Sequence, residues 1–238
     1  SMGQNVTIVM SVSNSGQATA NNVLPGITLI GDASSLSKVS GPFPGTANIS
    51  GSGTTSFTWV YNVINSGTVS FYMQAEGIDA NSGENTAATP IFTTEIVLQT
   101  PATFAASIIL PQTVTMGQAY NVLMVLTNTG SANAINVSPT NLYLTGSGSS
   151  IKVNGPSPSI TNINGSASAI FTWTYSATGT GSVNFTARAI GTDQNSSATI
   201  QSPVAINNLT VQQKVNLTTS LTSVPSIAKT GSQLTVIA

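Results

Sequence analysis

The acidic residues are the first candidates for chemistry in this sequence, because it contains no histidine and no cysteine. That absence excludes Ser-His-Asp and Cys-His nucleophilic centres and the usual zinc sites. General acid–base catalysis by carboxylates needs two of them close together, and the chain has only six, which are Asp32, Glu76, Asp79, Glu84, Glu95 and Asp193. Only Glu76, Asp79 and Glu84 are near one another along the chain. We predict that this chain is not an enzyme.

The stretch "DANSGE" at 79–84 offers oxygen ligands at alternating positions, a spacing at which a hard cation such as Ca²⁺ is often held. Its candidate ligands are Asp79, Asn81 and Glu84. The other interpretation is an Asx-type turn in a hairpin, where the Asp and Asn side chains bond to their own backbone. The turn is the favoured interpretation, Ca²⁺ stays open as the alternative, and no other cofactor is expected.

Aromatic side chains could bind carbohydrate by stacking, and the two tryptophans are the largest of them. Trp59 and Trp173 each share one strand face with a Phe and a Tyr, while the other face is rich in Thr. This pattern is typical of a side chain in a sandwich core. Tyr72 and Tyr143 are better candidates for exposed aromatics.

Two lysines recur in similar surroundings, Lys38 in "SKVSGP" and Lys152 in "IKVNGP". Some surface domains cross-link a Lys to an Asn through a buried carboxylate, but no acidic residue is an obvious partner here. We expect both lysines to be exposed and to protect an edge or a loop from pairing.

The chain repeats itself with a period of 114 residues and no gap. "FTWVYNVINSGTVSFYMQAEGIDANS" at 57–82 returns as "FTWTYSATGTGSVNFTARAIGTDQNS" at 171–196. The same offset relates Asn14 to Asn128 and Asp79 to Asp193, whereas Glu76 and Glu84 have no acidic counterpart. Self-similarity at a fixed period is the signature of a tandem array.

The period divides the chain into three parts. We predict repeat 1 at 1–100, lacking its first strand, a complete repeat 2 at 101–212, and the first strands of a third repeat at 213–238. We expect the chain to be an excerpt of a longer array. The junctions have no long Gly/Ser linker, so we also expect limited flexing between repeats.

Short stretches of alternating polarity predict strands, for example "NVTIVMSVSN" and "GTVSFYMQA", and turn residues separate them. The predicted fold is all-β, made of tandem immunoglobulin-like antiparallel sandwiches. For repeat 2 the predicted strands are A 104–115, B 119–128, C 134–145, C′ 150–153, D 159–163, E 167–176, F 180–190 and G 197–211.

Two segments, "MSVSNSGQATANNV" and "MVLTNTGSANAINV", resemble the signature of bacterial and archaeal surface Ig-like repeats of the CARDB and DUF11 type. The "FTWTYSATGTGSVNFTARAIG" stretch is similar to a hairpin of the same domains. The resemblance implies a cell-surface or secreted stalk or adhesin module in a prokaryote.

Composition narrows the functional classes further. Charged residues make up 5% of the chain and the net charge is −1. The chain therefore lacks the excess of basic residues that is typical of a protein that binds nucleic acid. No apolar run is long enough to span a membrane. We therefore predict an extracellular spacer or adhesion module whose partners are neighbouring repeats. Two alternatives stay open: a strand-donating subunit of a filament or oligomer, and a module that binds a glycan or receptor through "GDASSLSK" or "DANSGE".

Overall fold

The computed structural model describes residues 1–220, 229–231 and 233. Strands dominate this part of the chain, which contains one three-residue 3₁₀ turn at Ala33–Ser35 and no α-helix. Within the same residues no helix has the length and apolarity needed to cross a membrane. The predicted all-β, antiparallel sandwich architecture is confirmed.

Repeat 1 forms two sheets. Strands β1, β5 and β3 make a three-stranded sheet with β5 in the middle, and β4, β2, β6 and β7 make the second sheet, where β8 and β9 also pair with β6. The strand bounds are β1 Asn5–Ser13, β2 Ala20–Gly31, β3 Leu36–Phe43, β4 Ala47–Ile49, β5 Thr54–Val63, β6 Gly67–Asp79, β7 Asn85–Ala87, β8 Ile91–Phe92 and β9 Ile96–Leu98.

Repeat 2 forms three four-stranded sheets, ordered β10-β12-β17-β15, β16-β13-β19-β20 and β11-β21-β18-β14. All its pairs are antiparallel except β11 with β21. The strand bounds are β10 Phe104–Ile109, β11 Thr113–Thr115, β12 Ala119–Asn128, β13 Ala134–Pro139, β14 Tyr143–Thr145, β15 Ser149–Ser157, β16 Thr161–Ile163, β17 Ser168–Gly179, β18 Gly181–Ala187, β19 Ala189–Asp193, β20 Thr199–Gln201 and β21 Ala205–Gln212.

Alternation along the strands sets which side chains enter the core, since successive residues point to opposite faces. In β5, Phe57, Trp59 and Tyr61 are all buried, and Trp173 in β17 is equally buried, with 1% of its surface exposed. The prediction that both tryptophans belong to the core is confirmed. The buried hydrophobic side chains form two separate clusters, one drawn from residues 8–98 and the other from residues 102–211.

The strand bounds of repeat 2 correct several predictions. Predicted strand A splits into β10 and β11, which lie in different sheets, and predicted strands C and G split into two strands each. A proline lies at or beside each break, Pro111, Pro139 and Pro203 respectively. Proline has no N–H to donate to a ladder, so the chain leaves one sheet there and joins another. Predicted strand F also divides, at Arg188, whereas strand B is found as predicted.

Candidate functional site

The predicted cation ligands lie in a tight hairpin turn after β6. One carboxylate oxygen of Asp79, Oδ1, accepts the backbone N–H groups of Asn81 and Ser82, both at 2.8 Å, and the Ser82 hydroxyl at 3.2 Å. The N–H groups of Ser82 and then Asn81, helped by that hydroxyl, hold the pKa of Asp79 below its usual value. Glu84 is exposed and closes the turn through its backbone carbonyl, which accepts the N–H of Asp79.

The arrangement matches the Asx-type interpretation of "DANSGE". The side-chain oxygen of Asp79 that would serve a cation already receives three donors. Across the described residues, no group of three or more acidic side chains is placed to hold a metal ion. Ca²⁺ binding by Asp79, Asn81 and Glu84 stays an untested prediction.

Asp193 occupies the equivalent turn in repeat 2 and has a further partner. Its Oδ1 accepts Asn195 N–H, Ser196 N–H and the Ser196 hydroxyl, as in repeat 1. Its Oδ2 accepts the N–H of Ala102 at 2.7 Å, and the side chain is fully buried. Burial alone would raise the pKa of Asp193, but these donors outweigh it and keep the pKa below its usual value.

The partner of Asp193 belongs to residues 100–104, which we call the linker segment because it leads from repeat 1 into β10. The Thr103 N–H reaches Asn128 Oδ1 at 3.3 Å, and the Thr103 carbonyl accepts Thr129 N–H at 2.8 Å. Ala102 and Phe104 are buried, with 1% and 7% of their surfaces exposed. The linker segment thus lies in a slot of repeat 2, with its apolar side chains directed into the core.

Small residues line this slot and make room for the linker segment. A Cβ on Gly130 would clash with the carbonyl of Pro101, and one on Gly191 would lie 3.3 Å from the Phe104 ring. Glycine is needed where another backbone approaches so closely. The slot therefore has room for the backbone of the linker segment only because these positions are glycine.

Repeat 1 carries the same slot as an open groove of about 570 Å³. Five of its lining residues lie 114 positions before residues that contact the linker segment in repeat 2, and they are Asn14, Gly16, Ala18, Gly77 and Asp79. Each of these five is partly or fully exposed, and each counterpart in repeat 2 is buried. The hydrogen-bond acceptors of the groove include the side chains of Asn14 and Asp79, which are the counterparts of the two side chains that bind the linker segment.

The two repeats meet through polar contacts at the end of repeat 2 that holds the linker segment. Thr100 N–H donates to Ser131 Oγ at 2.8 Å, and Ser131 N–H donates to Thr100 Oγ1 at 2.9 Å. Asn195 Nδ2 donates to Gln99 Oε1 at 2.7 Å, and Gln4 Nε2 donates to the Asn195 carbonyl at 2.9 Å. The junction is thereby held from both repeats.

The other residues that the sequence singled out lie apart from the groove. Tyr143 is 69% exposed, and Tyr72 is half-buried against Phe92, with ring centroids 5.0 Å apart. Lys38 and Lys152 are exposed on β3 and β15, as predicted.

Comparison with known proteins identifies no family. No family model matches the chain, and no curated protein matches it. Loose structural matches include the C-terminal domain of the Streptococcus agalactiae AgI/II polypeptide BspA, at 9% identity and a TM-score of 0.31, covering 86% of this chain and 92% of that one. Another is red sea bream transglutaminase, at 13% identity and a TM-score of 0.29, where the match covers 90% of this chain but only 30% of the transglutaminase. Likenesses this loose carry no argument about function.

The acceptor pair that binds the linker segment, Asn128 with Asp193, was not predicted from the sequence. A signal was present, because both residues recur in repeat 1 as Asn14 and Asp79 while Glu84 becomes Ala198. Both repeats keep the Asp, whereas repeat 2 lacks the Glu. This difference favours a structural hydrogen bond made by the Asp over a cation site common to both repeats.

Proposed function

We propose that this chain is a spacer or stalk segment of a repetitive extracellular protein on a prokaryotic surface, with no catalysis of its own. The observation that carries the proposal is the junction between the repeats. Residues 99 and 100 are engaged by Ser131 and Asn195 rather than left free. Hydrogen bonds of this kind fix the orientation of each repeat relative to the next, as a spacer or stalk requires.

The surface chemistry supports an extracellular role. Few charges are available, and the polar surface is built from Ser, Thr and Asn. The resemblance of both repeats to CARDB and DUF11 surface domains points in the same direction. The partners expected on this proposal are the neighbouring repeats themselves.

The experiment is a distance measurement between the repeats. Lys38→Cys and Lys152→Cys place two labels at equivalent exposed positions in a chain with no native cysteine. Double electron–electron resonance should give one narrow distance distribution. Inserting Gly-Ser-Gly-Ser between Gln99 and Thr100 should broaden it, and the same insertion at the exposed 45–46 turn of repeat 1 is the control. A broad distribution in the parent chain would show freely jointed domains and contradict the proposal.

Carbohydrate binding is a second candidate, favoured by one observation. Phe92 is 67% exposed and lies against the half-buried Tyr72 on the surface of repeat 1, and an exposed aromatic ring offers an apolar face on which a sugar can stack. On a glycan array, binding that Phe92→Ala abolishes and Tyr143→Ala preserves would support this function. If the parent chain binds no glycan on the array, carbohydrate binding is ruled out as a candidate function.

A further inference from the structure

Asn154, on the edge strand β15, is followed by a glycine whose backbone nitrogen lies beside the asparagine side chain. The N–H of Gly155 donates to Asn154 Oδ1 at 2.7 Å, and Asn154 is exposed to solvent. The side chain is therefore folded back over the peptide bond that follows it. This contact brings together the backbone nitrogen and the carboxamide group that react with each other when an asparagine deamidates.

The other Asn-Gly pair of the chain, Asn164-Gly165, has a different geometry. The N–H of Gly165 donates to Asn133 Oδ1 at 3.0 Å, so this nitrogen is directed at the side chain of a distant residue. A glycine after the asparagine favours the reaction in both pairs, because it has no Cβ to crowd the approach of its nitrogen. The two pairs thus share their local sequence and differ in the partner of the glycine N–H.

A third asparagine, Asn207, makes the same contact with the next residue but is held more firmly. The N–H of Asn208 donates to Asn207 Oδ1 at 2.9 Å. The carboxamide nitrogen of Asn207 also donates to the Ile108 carbonyl at 2.8 Å, and Asn208 has a Cβ. Within the described residues no hydrogen bond from the carboxamide nitrogen of Asn154 accompanies the Gly155 contact. The leaving nitrogen is therefore free at Asn154 and held at Asn207.

The two repeats keep the glycine and differ in the residue before it. A Cβ on Gly155 would lie 2.5 Å from the carbonyl oxygen of Thr172, and Gly41 in repeat 1 is equally confined against the Thr58 carbonyl. Close backbone approach thus requires glycine at both positions. The preceding residue is Asn154 in repeat 2 but a serine in repeat 1. Serine has no carboxamide, so this position can deamidate in repeat 2 and not in repeat 1.

We propose that Asn154 is a self-modification site, at which the backbone nitrogen of Gly155 displaces ammonia. The Gly155 nitrogen gives its proton to hydroxide and forms a bond to Cγ of Asn154. The bond from Cγ to Nδ2 breaks, and the nitrogen takes a proton from water and leaves as ammonia. Water then opens the cyclic imide at either of its carbonyls, which gives aspartate or isoaspartate. The proposal goes beyond the spacer function and does not depend on it.

The modification changes the edge of repeat 2. Both products place a negative charge on β15, which lies at the edge of its sheet beside β17. A charge on an edge strand opposes pairing with the edge of another molecule. Isoaspartate also lengthens the backbone just before Ser157, which pairs with Thr172, and so disturbs the ladder there.

The test is the rate of deamidation at each Asn-Gly pair of the full chain, followed by mass spectrometry of peptic peptides during incubation in mildly alkaline buffer. Deamidation adds one mass unit, and electron-transfer fragmentation separates aspartate from isoaspartate. In the folded chain we expect Asn154 to react about tenfold faster than Asn164, because its reacting groups are already in contact. In urea the two pairs should react at similar rates, and folding should not slow Asn154.

Two matched substitutions assign the mass gain of the folded chain. Asn154→Ser introduces the residue found in repeat 1 and should abolish the early gain, whereas Asn164→Ser should leave it unchanged. The rate at Asn154 should rise with pH, because the Gly155 nitrogen must lose its proton. Equal rates at the two pairs in the folded chain, faster reaction at Asn164, or protection of Asn154 by folding would each overturn the proposal.

Discussion

Asp79 and Asp193 end equivalent strands, 114 residues apart, and begin turns with the same hydrogen bonds to Oδ1. Asp193 is fully buried, whereas Asp79 is partly exposed. The turns themselves do not explain the difference. It comes from the linker segment, whose Ala102 N–H binds Oδ2 of Asp193 and covers it.

Two repeats with similar local sequence thus differ in exposure, because the slot is covered by the linker segment in repeat 2 and is open in repeat 1. Asn14 and Asn128 make the same contacts to three backbone carbonyls around them. Only Asn128 also accepts an N–H from the linker segment. Each slot is therefore formed by residues of its own repeat. The slot residues of repeat 2 are buried because the linker segment covers them.

The greatest loss of stability should come from removing the Phe104 ring, which anchors the linker segment in the core of repeat 2. Phe104→Ala should destabilise repeat 2 by about 3–5 kcal/mol, since it removes a buried aromatic and leaves a cavity. Ile109→Ala in the same strand is the control, because that side chain is 54% exposed. Chemical denaturation followed by the fluorescence of each tryptophan, with the other replaced by Phe, separates the repeats. Equal losses for the two variants would show that the linker segment does not stabilise repeat 2.

A smaller loss is expected from Asp193→Asn. The amide nitrogen cannot accept a hydrogen bond, so one buried N–H donor of the turn or of Ala102 loses its partner, which costs about 1–3 kcal/mol. Asp79→Asn should cost less in repeat 1, because water can replace the lost partner there. The same denaturation measurement checks both variants. A larger loss from Asp79→Asn than from Asp193→Asn would contradict the role given to the Ala102 hydrogen bond and to burial.

The pH dependence follows from the same two carboxylates. Both have a lowered pKa in the folded chain, so between that pKa and the unfolded value of about 3.9 the unfolded chain binds more protons. Their stabilisation is fully present above pH 5 and is lost as pH falls through the folded pKa. Melting temperatures should be level from pH 5 to 8 and fall below about pH 4. Asp193→Asn should reduce the fall in melting temperature at acid pH for repeat 2 only. A steep change in melting temperature of the parent chain between pH 5 and 8 would contradict this prediction.

The smallest effects are expected at the equivalent lysines. Lys38→Ala and Lys152→Ala should each change the stability of its own repeat by no more than about 0.5 kcal/mol, because both side chains are exposed. Intact mass spectrometry of the parent chain checks the cross-linking alternative. A mass one ammonia short, restored by either substitution, would show that a lysine is cross-linked.

Much of the fold could be predicted from the sequence. The strand β12 has the predicted bounds, and the inward faces of β5 and β17 were identified from their alternating aromatics. The splitting of predicted strands A, C and G could not be placed, because a proline shows where a ladder is interrupted but not which sheet the chain joins next. The predicted third-repeat strands at 213–238 fall largely on residues outside the described part, and 213–220 contain no strand.

The all-β character, the inward strand faces and the recurrence of the slot residues follow from the sequence, because alternation and repetition are properties of the local chain. That Asp193 is buried and Asp79 is not follows from the packing of the folded chain. The partner of Asp193, Ala102, is 91 residues away along the chain, and no local pattern encodes which distant segment will cover a carboxylate. Burial depends on what packs against a residue, and that is fixed when the linker segment enters its slot.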